Sequence, residues 1–319
     1  MRIEYSYGRN ISLAASSAGS AGGCVVAIGF FDGVHKAHRA LIGAARKRAD
    51  ELSIPLAVLT FAADGGIKPG AKKIYSDDEK AELLFSAGAD VVVNCDFSSV
   101  RDLEGGAFCD DVLCRDLAAR AVFCGFNFRF GKGASSGVKE LGELLSRRGA
   151  ELVVMDDYHL GGKTLSSTVI RGLLSEGRVA EAAEALGEPY FIDCGIIHGN
   201  GVGKGLGIPT VNGDTPEDKI LLGRGVYLTE AVIGDAVYPA LTNVGTCPTF
   251  SERAVHTETF ILGFNGDLYG KRLRIKFLEF LREEKTFDSE KELVIQINVD
   301  KNKALSLYGD LKWQDSGHN

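Results

Sequence analysis

The sequence predicts two domains of different class: an α/β domain built on a parallel sheet, then an all-β antiparallel domain closed by a C-terminal helix. Three observations carry this. The 319 residues exceed a typical single-domain length roughly twofold. Hydrophobic residues make up 45% and charged residues 25%, so there is apolar material for two cores. The pattern also changes near Gly187-Glu188-Pro189, which sets the expected domains at 1–187 and 188–319.

Before that point, buried-looking runs alternate with amphipathic stretches. CVVAIGF, PLAVLTF, ADVVVN, ARAVFCG and AELVVMD read as strands of a parallel sheet, each a continuous apolar run. HKAHRALIGAARKRADEL, SDDEKAELLFSAG, the stretch around AFCDDVLCRDLAA, and VKELGELLSRRG have helical spacing and lie between them. STVIRGLLSEG and VAEAAEALG continue as helices, and Pro189 breaks the second. From Tyr190 the chain reads as short strands only: YFIDCGIIHG, GVYLTEAVIG, AVYPALTNVG, HTETFILGF and KRLRIKFLEFL. Gly234-Asp235 and Asn265-Gly266 are two-residue turn signals and predict hairpins. Such spacing suits a small barrel or sandwich, and a helix from about Ser289 to Leu307 closes it.

The net charge of −7 and pI near 5.5 exclude a nucleic acid as main partner while leaving anionic small molecules open. Seven scattered cysteines (24, 95, 109, 114, 124, 194 and 247) contain no CxxC spacing, so neither a zinc cluster nor a disulfide framework is expected. No apolar run approaches the ~18 residues of a membrane span, and Ile11 to Gly23 is too polar for a secretory signal. The expectation is a reduced, cytoplasmic protein with no membrane partner, for which a homo-oligomer remains open.

Three clusters carry chemistry in the first domain. Gly29-Phe30-Phe31-Asp32-Gly33-Val34-His35-Lys36-Ala37-His38 follows the first buried strand and opens a helix, the place where α/β sheets bind phosphates. His35 and His38 are one turn apart and can face one ligand, where imidazole donors beside a helix dipole stabilise a pentacovalent α-phosphate; two histidines at an ordinary helix start is the plainer reading. Gly125 to Gly133 supplies Asn127, Arg129 and Lys132 at another strand end, or else is a turn with an aromatic plug. Ser166, Ser167 and Thr168 put hydroxyls at a helix N-terminus with Arg171 one turn on, although serine N-caps are common. Together the clusters point to a triphosphate site.

In the second domain, His198 to Asn212 is glycine-rich, with Gly201, Gly203 and Lys204 able to approach phosphates; it is not a Walker A, and plain hairpin turns explain it equally. Thr210 and Asn212 put two hard oxygens on one strand face, which suits Mg2+. Glu258 shares side-chain parity with Phe260 and Leu262 and is either a proton acceptor for a hydroxyl nucleophile or an edge-strand glutamate in water.

These motifs resemble, over nearly the whole chain, the bacterial bifunctional riboflavin kinase/FAD synthetase family. The family's GxFDGxHxGH, GxxFxFG and SSTxIR match Gly29 to His38, Gly125 to Gly131 and Ser166 to Arg171. Its GxPTxN, NVGTxPTF and GDLYG match Gly207 to Asn212, Asn243 to Phe250 and Gly266 to Gly270, and Phe277 to Asp288 matches the stretch bordering the flavin. The resemblance implies a Rossmann-like nucleotidyltransferase domain followed by an antiparallel barrel. It implies that riboflavin is phosphorylated to FMN and FMN adenylylated to FAD, with ATP as co-substrate, magnesium as cofactor and pyrophosphate released. Residue by residue, it puts His35, His38, Asn127, Ser166, Ser167, Thr168 and Arg171 on ATP, with Gly29, Phe30, Phe31, Asp32 and Gly33 forming the turn around it. Thr210 and Asn212 hold magnesium and ATP phosphates, Glu258 is the base on the ribityl 5′-hydroxyl, and Arg282 and Phe287 border the flavin. Two departures matter: Ala37 replaces a glycine, and the family's TFxPHP reads Thr60-Phe61-Ala62-Ala63-Asp64-Gly65-Gly66, without the His-Pro pair; Val202, Lys204, Ile208 and Val211 are minor differences. The alternative is a riboflavin kinase whose first domain is degenerate or regulatory.

Overall fold

The structure is a computed structural model, which describes residues 1–7, 22–62, 72–197, 209–214, 216, 218–246 and 255–316. The chain divides into two compact units, Met1–Ser167 and Thr168–Asn319.

The first unit is a six-stranded parallel sheet of β1 (Arg2–Tyr5), β2 (Cys24–Ile28), β3 (Leu56–Phe61), β4 (Val91–Cys95), β5 (Ala119–Gly125) and β6 (Glu151–Met155). The order across the sheet is β1-β4-β3-β2-β5-β6. β2, β3 and β4 are buried at every residue, as parallel strands covered on both faces must be. β1 was not legible as a strand: RIEY alternates polar and apolar residues over four positions at a sheet edge. The connecting helices include α1 (Lys36–Leu52), α2 (Asp77–Ser86), the π-helical α3 (Phe108–Asp116) and α4 (Val138–Arg147). α2 starts with a capping box in which Ser76 and Glu79 exchange side-chain-to-backbone bonds. The core joins Val26, Ile28, Leu59 and Val93 of the sheet to Leu113 and Leu141 of the helices.

The chain runs from β2 to β3 on one side, then returns across the sheet so that β5 lies on the other side of β2. The topological switch point is therefore between β2 and β5, and the crevice outside their carboxyl ends is where such sheets bind ligands.

The second unit begins with α5 (Ser167–Ser175) and α6 (Val179–Leu186), which ends at Gly187 with φ 94°. The contact division thus lies about twenty residues before the boundary expected from sequence pattern, because these helices belong with the second unit: Gly223 N donates to Leu174 O, and α6 packs on the last barrel strand. The strands are β7 (Phe191–Ile197), β8 (Thr210–Asp214), β9 (Gly225–Ile233), β10 (Ala236–Thr246), β11 (Val255–Ile261) and β12 (Arg272–Arg282). They close a barrel in the order β7-β8-β11-β10-β9-β12, every pairing antiparallel. Gly234-Asp235 forms the expected two-residue hairpin, with Ile233 opposite Ala236. The hairpin expected at Asn265-Gly266 is not formed. β11 pairs with β8 and β10, while β12 closes the barrel between β7 and β9, so the segment joining them crosses between non-neighbours.

Helix α7 (Glu290–Ser316) runs past the expected end at Leu307. It covers the outer face of the barrel, where Ala304, Leu307 and Tyr308 meet Val226, Leu228 and Leu241. Arg282 of β12 anchors it through Asp300, with Nε–Oδ2 at 3.0 Å and Nη2–Oδ2 at 2.8 Å.

Candidate functional site

In the first unit the turn between β2 and α1 takes an uncommon backbone path. Phe31 (φ 50°) and Val34 (φ 40°) are both left-handed, as is Gly33 (φ 89°). A β-branched residue in that region is a genuine outlier, and such strain costs about 1–3 kcal/mol per residue unless the surroundings enforce it. Here three side chains hold the carbonyls, two of them from distant parts of the chain. Thr60 Oγ1 donates to Phe30 O at 3.0 Å, Ser167 Oγ donates to Asp32 O at 2.7 Å, and Arg39 Nε donates to Val34 O at 3.1 Å. The Asp32 carboxylate accepts the Ile74 amide at 3.1 Å. A Cβ on Gly29 would sit 3.2 Å from the tip of the Phe31 ring, close enough that the ring would have to shift.

The turn delivers His35 and His38 as a stacked pair, ring centroids 3.6 Å apart and planes 16° from parallel. His35 occupies the N-cap of α1 without capping it, and is only 4% exposed. The Nδ1 atoms of both imidazoles are buried and have no hydrogen-bond partner among the described residues. Burial lowers the His35 pKa from the ordinary 6.5 to about 4, a backbone hydrogen bond opposing it, and burial together with the neighbouring His35 holds His38 well below its ordinary value. Both rings are neutral at neutral pH. Two neutral imidazoles beside a helix start, each with a buried Nδ1 that has no hydrogen-bond partner among the described residues, can accept from or donate to a polyanion.

Asn127 follows β5, the strand beside β2. β2 and β5 are neighbours in register, Ala27 opposite Phe123, so the loops that follow them leave adjacent strand ends. Asn127 is exposed, and the loop is set by Phe126 N to Met155 O at 2.9 Å and Phe128 N to Gly125 O at 3.0 Å. Arg129 donates to Ala134 O at 3.2 Å within the small hairpin that follows. Ser167 reaches the turn through its hydroxyl, as given above, with Ser166 half-buried before it. Thr168 and Arg171 continue along α5 in the second unit, Thr168 exposed and Arg171 half-buried. Sequence reading did not single out the aromatic shelf at the same strand ends: Phe30, 40% exposed, lies 5.0 Å from Phe61 and 6.0 Å from Phe97 between ring centroids.

In the second unit the register settles the local arrangement. Asn212 of β8 lies directly opposite Glu258 of β11, and Asn243 of β10 lies opposite the same residue from the other side. Directly opposed residues point to one face of a sheet, so the three side chains form a row across three strands. Thr210 is opposite Phe260, one place along that face. Glu258 is exposed, Thr210 and Asn212 are half-buried. Asn243 Nδ2 donates to Glu284 Oε1 at 3.4 Å, and a Cβ on Gly245 would collide with that same oxygen. Asn243 and Glu284 are the neighbours that sequence reading did not assign. Arg282, expected at the flavin, is engaged by Asp300 on α7, and Phe287 is half-buried between β12 and α7. Gly201, Gly203 and Lys204, and the Ala63 to Gly66 part of the segment that departs from TFxPHP, lie outside the described residues. Among the described residues no group of three His, Cys, Asp or Glu side chains is placed to hold a metal.

A family model described as FAD synthetase matches residues 18–169, and one described as riboflavin kinase matches residues 186–308. A Bacillus subtilis protein named bifunctional riboflavin kinase/FMN adenylyltransferase is 31% identical over 297 residues, covering 90% of this chain and 93% of that one. The chain belongs to the bifunctional riboflavin kinase/FMN adenylyltransferase family. A second family member, from Listeria monocytogenes, is 30% identical over 295 residues with 90% and 93% covered. The same architecture is seen in a solved Streptococcus pneumoniae chain described as a macrolide-efflux protein, with TM-score 0.81, 27% identity, and 94% and 97% of the two chains covered. Among the described residues of this family member no helix is long and apolar enough to cross a membrane.

Proposed function

We propose that the second unit transfers the γ-phosphoryl group of ATP to the ribityl 5′-hydroxyl of riboflavin, and that the first unit joins the FMN so formed to AMP from a second ATP, giving FAD and pyrophosphate. The observation that carries the reading is the row in which Asn212 and Asn243 stand directly on either side of Glu258. Glu258 accepts the hydroxyl proton as the oxygen attacks phosphorus, while positioning does most of the remaining work. Thr210 and Asn212 offer hard neutral oxygens on one face of β8, a donor set that fits magnesium with most of its water retained. Magnesium held there would neutralise charge on the ATP phosphates.

In the first unit the FMN phosphate attacks the α-phosphorus and pyrophosphate leaves. The neutral His35 and His38 rings bind the phosphate oxygens as charge accumulates, and Asn127 at the adjoining strand end orients them. Ser166, Thr168 and Arg171 are assigned to the same ATP, and Lys204 with Gly201 and Gly203 to the phosphates of the kinase reaction. Phe30, with Phe61 and Phe97 behind it, offers a flat apolar surface for the flavin ring. Phe287 borders the flavin of the kinase reaction. Arg282 supports that border through Asp300 by fixing α7 to β12.

The absent His-Pro pair favours a slower adenylyl step than kinase step, because Asp64 stands at the position where the family's TFxPHP motif carries its histidine. Supplying riboflavin and ATP with magnesium and following FMN and FAD separately by chromatography tests the whole reading. FMN should appear first and FAD after it; no FMN would overturn the kinase assignment, and FMN without any FAD would leave the first unit without its reaction.

A further inference from the structure

We propose that Lys80, which no motif contains, is a positioning residue for adenylyl transfer: its buried ammonium ties the carboxyl end of β3 to the turn that carries His35 and His38. The inference rests on the reading of the first unit given above.

Lys80 is 6% exposed, on the first turn of α2. A buried ammonium is costly unless it is paired and hydrogen-bonded. Its Nζ donates at 2.9 Å to Phe61 O, the last carbonyl of β3. Asp77 Oδ1 lies 3.7 Å away, and among the described residues that oxygen is buried without a hydrogen bond, so the ammonium is its nearest compensation. Asp32 acts on Lys80 through space as a second carboxylate, and Lys73, itself 3.6 Å from Asp77, opposes. Burial is the dominant influence on this lysine and moves its pKa down, with the two carboxylates pulling back towards the charged form.

The placement gives this charge a role in the turn. Phe61 O is the last carbonyl of β3, just before the sequence segment that lacks the His-Pro pair. The preceding residue, Thr60, donates to Phe30 O, and the Phe61 ring packs on Phe30. Asp32 carries the carbonyl held by Ser167. One ammonium therefore serves both the strand end that supports Phe30 and the aspartate in the middle of the left-handed turn. Without it, Phe61 O loses a charge-assisted bond and Asp32 loses the attraction of one cation, and the turn is freer to relax away from the strained path that aims the two imidazoles. A purely structural lysine would behave differently: its removal would lower stability, because Asp77 loses one of its two nearby cations, while the folded molecules kept their rate of FAD formation.

The test uses the full chain, with the kinase reaction of the second unit as an internal control. Lys80→Met and Lys80→Arg are assayed for FAD formation from FMN and ATP, for FMN formation from riboflavin and ATP, and for thermal unfolding. Lys80→Met is expected to melt below the unmodified protein, because it removes one partner from a buried charge cluster, and to keep FMN formation, while kcat/KM for FAD formation by the folded protein falls at least about tenfold with most of the loss in kcat. Lys80→Arg, which keeps the charge, should recover part of that loss. A folded Lys80→Met that makes FAD at the unmodified rate overturns the proposal. If that variant does not fold, Lys80→Gln, which keeps a donor and drops the charge, takes its place under the same criterion. If the unmodified protein makes FMN but no FAD, the reading of the first unit falls and the role of Lys80 with it; if it makes FAD and the neutral variants do so equally well, only the role of Lys80 falls.

Discussion

Acid should weaken the first unit through the histidine pair, and the size of the effect follows from His35. Its pKa is 6.5 in an ordinary setting and about 4 in the folded protein. Between those values the unfolded chain binds more protons than the folded one, so stability falls as pH drops through this window and the loss levels off below the folded value. Integrating from about pH 7 to about pH 5 gives a loss of about 2 kcal/mol from this residue, of a full difference of about 3 kcal/mol. His38 is shifted in the same direction, by burial first and by His35 second, and adds to the effect. The measurement is urea unfolding followed by circular dichroism, at both pH values, for the unmodified protein and for His35→Gln. The unmodified protein should lose about 2 kcal/mol more than the variant over that interval. ATP should act in the opposite sense: a polyanion beside the rings favours their protonated forms, so its binding near pH 6 should take up protons, visible as a dependence of calorimetric heat on buffer ionisation enthalpy. Equal acid losses in the two proteins, within about 0.5 kcal/mol, would refute the picture of a buried neutral imidazole at position 35.

Glu258→Gln should keep flavin and nucleotide binding and lose FMN formation by about 10²-fold or more, because the amide cannot take the hydroxyl proton; near-normal turnover removes Glu258 from the mechanism. Asp300→Ala strands the Arg282 guanidinium, whose side chain is 16% exposed, and should destabilise the second unit by about 3–5 kcal/mol in denaturant titration. In the unmodified protein FAD synthesis at saturating substrates should be slower than FMN synthesis, and replacing Ala63-Asp64-Gly65 by Pro-His-Pro should raise FAD output; equal rates for the two steps would show that other residues substitute for the absent pair.

What was legible in the sequence divides by range. The buried strands of the first unit announce themselves as continuous apolar runs, and the Gly234-Asp235 hairpin is written in the two residues that make it. Asn265-Gly266 carries a similar local signal and makes no hairpin, because barrel closure assigns β11 and β12 to other partners. Parity along β11 placed Glu258 on the face of Phe260, and Phe260 does pack with the cluster beneath α7 on the outer face. Parity along one strand cannot reveal that Asn243 would be its neighbour, since that needs the register of a strand met fifteen residues earlier. Arg282 shows the same limit from the other side: its motif suggests the flavin, and an aspartate eighteen residues later takes its guanidinium.

The turn at Gly29 to His38 is the sharpest case. Its glycines and histidines are visible as a motif, yet the motif does not say that Phe31 and Val34 must be left-handed. Within those ten residues Val34 N donates to Phe31 O, and Arg39, just beyond them, donates to Val34 O. The remaining restraints come from Thr60, from the Ile74 amide and from Ser167, the last of them 135 positions along the chain from Asp32. A strained path persists only where distant groups over-determine it. The aim of the two imidazoles is therefore a property of the folded sheet edge rather than of the motif, and residues such as Thr60 and Lys80 belong to the chemistry of this site although neither touches a position that the motif names as reactive.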